Sequence, residues 1–136
     1  MIEHTTELRV RYAETDAMGG YYNSKALEWF EVGRSELCRA TGKPYRLWEA
    51  DGVLLPVVEA YVKFLGRAEY DDLLRITTRV SWHGRVRMRF DVEIVRADDG
   101  APVCRGHTIQ AITDRSGRPR RPPDWVYDLL GRPEED

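Results

Sequence analysis

Residues 24–41 carry apolar side chains around so much of a helical circumference that the segment is stable only when enclosed on several sides. Ala26, Phe30, Gly33, Leu37 and Ala40 follow one helical stripe, and Leu27, Trp29, Val32 and Cys38 widen it. Asn23 or Ser24 supplies an N-cap. Thr41-Gly42-Lys43-Pro44 supplies the stop, with Gly at the first position past the helix and Pro blocking continuation. Gly33 weakens the helix, so its place in the stripe implies a close approach by another backbone element.

After a short predicted helix over residues 45–50, closed by Asp51-Gly52, the apolar period changes to two. Val58, Ala60, Val62 and Phe64 share one face of a predicted strand. Leu74, Ile76, Thr78, Val80 and Trp82 repeat the pattern, as do Val86, Met88, Phe90, Val92 and Ile94 opposite Arg85, Arg87, Arg89, Asp91 and Glu93. His83-Gly84 and Asp98-Asp99-Gly100 are hairpin signals between these segments. A last strand is expected from residue 102 or 103 to 113, and a C-terminal helix over residues 122–130. Ahead of the apolar helix, residues 6–13 read as a half-buried strand with Leu8, Val10 and Tyr12 on one face. Strand, long helix and four antiparallel strands give an α+β fold of about five strands. At 136 residues the chain is expected to form one domain over 1–136, with an acidic, frayed end at about 131–136.

Composition removes several classes. A net charge of −2 gives no global attraction to nucleic acid. No apolar run reaches membrane-span length, and MIEHTTEL lacks a signal-peptide core, so a cytoplasmic location and no membrane partner are expected. Cys38 and Cys104 fall inside regular elements, far from any CxxC pattern, and read as reduced core residues. His4, His83 and His107 lack metal-ligand spacing, so no metal site is expected. Neither a nucleophile elbow nor a phosphate-cradling glycine loop is present.

Asp16 stands three residues before Gly19-Gly20 and just upstream of the helix. An aspartate here can simply cap turn N–H groups. Beside a helix N-terminus it can also attack a carbonyl or activate water, while backbone N–H groups stabilise the oxyanion. The stretch RVRYAETDAMG-x-x-Y followed by L-x-W-F-E-x-x-R-S-E resembles the hotdog-fold acyl-CoA thioesterases of the 4-hydroxybenzoyl-CoA thioesterase type. LPVVEAYVKFLGRAEYDDLLRI and the strand ending at Thr113-Asp114 extend the resemblance over roughly residues 7–114.

That resemblance implies a curved antiparallel sheet wrapped around a long central helix, in dimers or tetramers with active sites at the subunit interface. It makes Asp16 the catalytic nucleophile or general base. Tyr12 would line the site, Gly19 form its turn, Tyr22 contact the acyl group or pantetheine arm, and Arg34 hold the active-site loop or meet substrate. Related enzymes commonly carry His or Tyr where this chain has Asn23, whose amide does not titrate in water. Asn23 is then an N-cap or a polar substrate contact, and the N–H groups of residues 23–25 would polarise the thioester carbonyl. Glu59 faces either the site or solvent, and a partner subunit would supply residues 59–67. Arg85, Arg87 and Arg89 suit the phosphates of coenzyme A or pair with acidic neighbours, Arg85 being best placed near a turn. Arg34 needs an ion-pair partner if buried. The arginine-rich segment 115–121 reads as an exposed loop or as a contact for a nucleotide or acidic partner.

The expected activity is hydrolysis of an acyl-CoA or acyl-carrier-protein thioester, with coenzyme A entering as part of the substrate and no separate cofactor. A non-hydrolytic acyl-thioester binder and a polyketide-pathway carrier-protein thioesterase are the alternatives.

Overall fold

In the computed structural model, which describes residues 2–134, the period-two segments form one antiparallel sheet. Its strands are β1 (Ile2–Arg9), β2 (Val57–Phe64), β3 (Leu73–His83), β4 (Arg87–Arg96) and β5 (Pro102–Ala111), in the order β1-β3-β4-β5-β2. The helices are α1 (Lys25–Ala40), α2 (Tyr45–Ala50) and α3 (Asp124–Leu130). Thr78 faces Val92, and Val80 faces Phe90, across the central β3–β4 pair, so the expected apolar positions share one side. Gly84 and Gly100 turn the two hairpins at positive φ (69° and 72°), a backbone region that other residues enter only with strain.

The core divides along the length of α1. Its first half, with Ala26, Trp29 and Phe30, packs against Leu74, Ile76, Ile94, Val103 and Cys104. Its second half, with Leu37 and Cys38, packs against Val80, Met88, Phe90 and Ile112 together with Trp48, Val53 and Val126. Burial pushes the Cys104 thiol up to about 12 and the Cys38 thiol up to about 11, so both stay protonated and free.

Gly33 explains itself at the helix–sheet contact. A Cβ there would lie 2.3 Å from Thr78 Oγ1 and 2.9 Å from Ile76 Cγ2. Gly33→Ala is expected to cost about 1–3 kcal/mol by overpacking, measured by chemical denaturation. Thr78→Ala in the same chain should restore part of the loss, since Thr78 Oγ1 is buried and accepts or donates no hydrogen bond among the described residues. An unchanged unfolding midpoint in Gly33→Ala would mean that α1 rides higher on β3 than described.

Four expectations need correction. The first strand runs earlier than residues 6–13: Val10 leaves the ladder to exchange backbone bonds with Asp71 and Asp72, and residues 12–14 coil into a 3-10 turn. Tyr12 is consequently 77% exposed and not on the face of Leu8 and Val10. Val86, expected in a strand, sits in the β3–β4 turn and is 66% exposed. Ala40 and Leu27 lie on the open side of α1. Finally, β2 is exposed along nearly its whole length, because α1 packs chiefly on β1, β3 and β4 and does not cover this edge strand. The expected acidic tail falls partly outside the described residues, at Glu135 and Asp136. Among the described residues no helix is long and apolar enough to cross a membrane.

Candidate active site

The chain between β1 and α1 is a closed turn. Asp16 N–H donates to the Gly20 carbonyl (2.8 Å), Gly19 N–H donates to the Asp16 carbonyl (3.0 Å), and Thr15 bridges Tyr21. Gly19 has φ 83°, which the reversal requires. Asp16 Oδ1 accepts the Met18 N–H at 2.9 Å, the capping role open to any turn aspartate. Its Oδ2 accepts no hydrogen bond among the described residues, and the side chain is half-buried.

Two residues that sequence reading passed over hold this turn. Glu14 is 4% exposed, and both of its oxygens are engaged: Oε1 accepts Arg11 N–H at 2.7 Å and Oε2 accepts the Trp29 indole N–H at 2.8 Å. Glu14 therefore ties the turn to α1, and of the two neighbouring carboxylates only Asp16 keeps an oxygen free. Arg67, from the segment after β2, donates to the Met18 carbonyl at 3.1 Å. That contact is made within one chain. The spacing of Arg11 and Glu14 was the only sequence hint to the first anchor, and nothing local marked the second. Glu14→Ala leaves the Trp29 donor buried without a partner and should cost about 1–3 kcal/mol, read as a lowered melting temperature. An unchanged value would make the anchor dispensable.

Tyr22 N–H donates to the Glu14 carbonyl (3.0 Å), so Tyr22 and Asn23 stand beside the acidic turn, both exposed. The N-cap of α1 is Ser24, in helical conformation and without a side-chain cap bond, not Asn23. The Lys25 and Ala26 N–H groups are bonded to the Tyr22 and Asn23 carbonyls (2.9 and 3.2 Å), which removes Lys25 from the expected carbonyl-polarising set. The Asn23 and Ser24 N–H groups make no such bond among the described residues. Tyr12 packs edge-on against Tyr70 at 5.7 Å between ring centres.

Arg34, Glu59 and Arg85 lie elsewhere. The acidic turn follows the β1 end that pairs with Leu73, whereas Arg85 follows the opposite end of β3 at His83. Ten strand steps separate those ends, about 33 Å. Arg34 lines a cavity of about 170 Å³ with Tyr45, Leu55, Phe90 and Gln110, toward the Arg85 end. Burial holds its guanidinium below the usual value, opposed by Glu31, and it forms no ion pair among the described residues. Glu59 is exposed on β2 opposite Ile109, beside a register shift. Arg89, by contrast, is paired with Asp91 (3.1 Å) and donates to His107 Nδ1 (3.2 Å). One chain thus gathers Tyr12, Asp16, Gly19, Tyr22 and Asn23 at one end and leaves Arg34, Glu59 and Arg85 toward the other.

The α+β fold, with its five-stranded antiparallel sheet, is shared with a solved thioesterase. The family model of the thioesterase-like superfamily matches residues 10–130, and the chain belongs to that family. YneP of Bacillus subtilis, which carries the name of an acyl-CoA thioesterase, is 40% identical over 72 residues. That match spans 53% of this chain and about half (52%) of the relative. The chloroplastic acyl-acyl carrier protein thioesterase ATL2 of Arabidopsis thaliana is 27% identical over 94% of this chain and 68% of its own length. Among solved structures, the DHNA-CoA thioesterase of Staphylococcus aureus superposes with a TM-score of 0.84 at 30% identity, covering 93% of this chain and 87% of that one.

Proposed function

We propose that this chain is an acyl-thioester hydrolase that works as a two-fold dimer, with the sheet curled around α1 in the hotdog manner. The observation that carries the reading is the free oxygen of Asp16 in a turn whose other carboxylate, Glu14, is fully committed to structure. Asp16 serves as nucleophile or general base toward the thioester carbonyl, and the unbonded N–H groups of Asn23 and Ser24 receive the developing negative charge. Tyr22, Tyr12 and the Gly19 turn border the acyl-pantetheine arm. Thioesters lack much of the resonance that protects oxygen esters, so a carboxylate, N–H donors and a dry site can suffice.

The dimer follows from the edge strand. β2 presents an unpaired backbone edge flanked by exposed Val57, Val58, Tyr61, Phe64 and Leu65. Antiparallel pairing of β2 with its own copy about a two-fold axis sets the Phe64 end of one chain against the Val57 end of the other. Phe64 pairs Cys104, on the side of the acidic turn, and Val57 pairs Gln110, on the side of Arg34 and Arg85. The pairing therefore reunites the two halves of the site, Asp16 from one subunit with Arg34, Glu59 and Arg85 from the other. Arg85 then meets the phosphate that coenzyme A and a carrier-bound phosphopantetheine have in common. The names of YneP and ATL2 support both thioester forms as substrates.

The test is the initial rate of hydrolysis over short, long, branched and aromatic acyl-CoAs and one acyl-carrier protein. Turnover of any of these supports the reading and selects the acyl class. Folded protein that turns over none of them refutes it in favour of acyl-thioester binding without hydrolysis.

A further inference from the structure

Arginines far apart in sequence converge at the end of the sheet remote from Asp16. Arg85 and Arg87, around the β3–β4 turn, face Arg120 and Arg121 in the loop after β5 and Arg132 beyond α3, across an open groove of about 720 Å³. Among the described residues no carboxylate lines this groove and none of the five arginines forms an ion pair. Arg120 is held by the carbonyls of Asp51 and Gly52 (3.3 and 3.1 Å), and Arg132 lies 4.6 Å over the Tyr127 ring. Arg85, Arg87 and Arg121 are exposed. Like charges gathered without counter-charges repel one another, and an anionic partner relieves that repulsion.

We propose that this groove docks the acidic face of an acyl-carrier protein, which passes its phosphopantetheine-bound acyl group to Asp16 of the partner subunit. The inference rests on the thioesterase reading above. Three features favour a protein over the nucleotide of coenzyme A. The groove has an apolar component, with Val86 66% exposed between Arg85 and Arg87, as an amphipathic acidic helix requires. Its one aromatic side chain, Tyr127, is already stacked on Trp82 (5.5 Å) and covered by Arg132, which leaves it poorly placed to stack an adenine. The arginines are spread over the β3–β4 turn, the loop after β5 and the segment beyond α3, and guanidinium forks suit carboxylates as well as phosphate. In the β2 two-fold proposed above, this end of one subunit lies beside the acidic turn of the other.

The experiment compares one acyl group carried by acyl-carrier protein and by coenzyme A, using the full chain and an Arg121→Glu/Arg132→Glu variant. We expect kcat/KM on the carrier substrate to fall about tenfold or more, chiefly through KM, and its salt dependence to flatten. On acyl-CoA the variant should stay within about twofold of the parent, because neither arginine contacts the shared arm. Equal losses on both substrates would assign the groove to the nucleotide and overturn the proposal, as would no loss on either. If the parent hydrolyses neither substrate, the thioesterase reading fails on its own. Titration of labelled carrier protein then decides docking separately: binding that the variant weakens upholds it, and absent or unaltered binding overturns it.

Discussion

The Asp16→Asn variant is expected to hydrolyse acyl-thioesters about 10²- to 10⁴-fold more slowly than the parent, the usual contribution of a positioned acid–base group, while melting at the same temperature. Asparagine is the informative choice because its amide oxygen can still accept the Met18 N–H that Asp16 Oδ1 accepts at 2.9 Å. The turn, its Gly19 reversal and the Glu14 anchor then stay in place. Only the charge and the free oxygen are lost. A fall in kcat with little change in KM would assign the loss to the reacting carbonyl and not to substrate binding. Turnover equal to the parent's would return Asp16 to the plain role of a turn cap and leave the fold without an identified base.

Two lysines on the edge strand should abolish activity from a distance. Val58→Lys/Ala60→Lys places like charges beside their own copies if β2 pairs with β2 about a two-fold axis. The expected result is half the parent's molecular mass by sedimentation, an unchanged circular dichroism spectrum, and turnover lowered at least about 10²-fold, the scale of losing one stabilising group from such a site. The reason is the roughly 33 Å that ten strand steps put between the acidic turn and the Arg85 end. A monomer cannot present both to one substrate. Full turnover by a monomeric variant would show that the Asp16 end is complete by itself. An unaltered mass would show that the subunits meet elsewhere.

The sequence by itself determined the elements. The apolar stripe predicted a helix close to α1, Asp51-Gly52 the end of α2, and the alternation in residues 73–96 the buried faces of β3 and β4, because helix and strand periods are local properties of the chain. It also pointed to a close backbone approach at Gly33; the sheet does come close there, but through the side chains of Thr78 and Ile76. Asp16 was legible as a turn acid from its glycines. Tertiary structure alone decided what surrounds it. Glu14 drew no notice in the sequence, and the fold brings Trp29, fifteen residues on, within hydrogen-bonding distance of it. Val58, Ala60 and Phe64 alternate like a buried strand yet lie exposed, because alternation records which face is apolar but not whether anything covers it. Segments 85–87 and 115–121 read as separate arginine clusters. The β3–β4 turn and the loop after β5 bring arginines of both to one groove, since strand order β1-β3-β4-β5-β2 sets which ends are neighbours and no local pattern encodes that order.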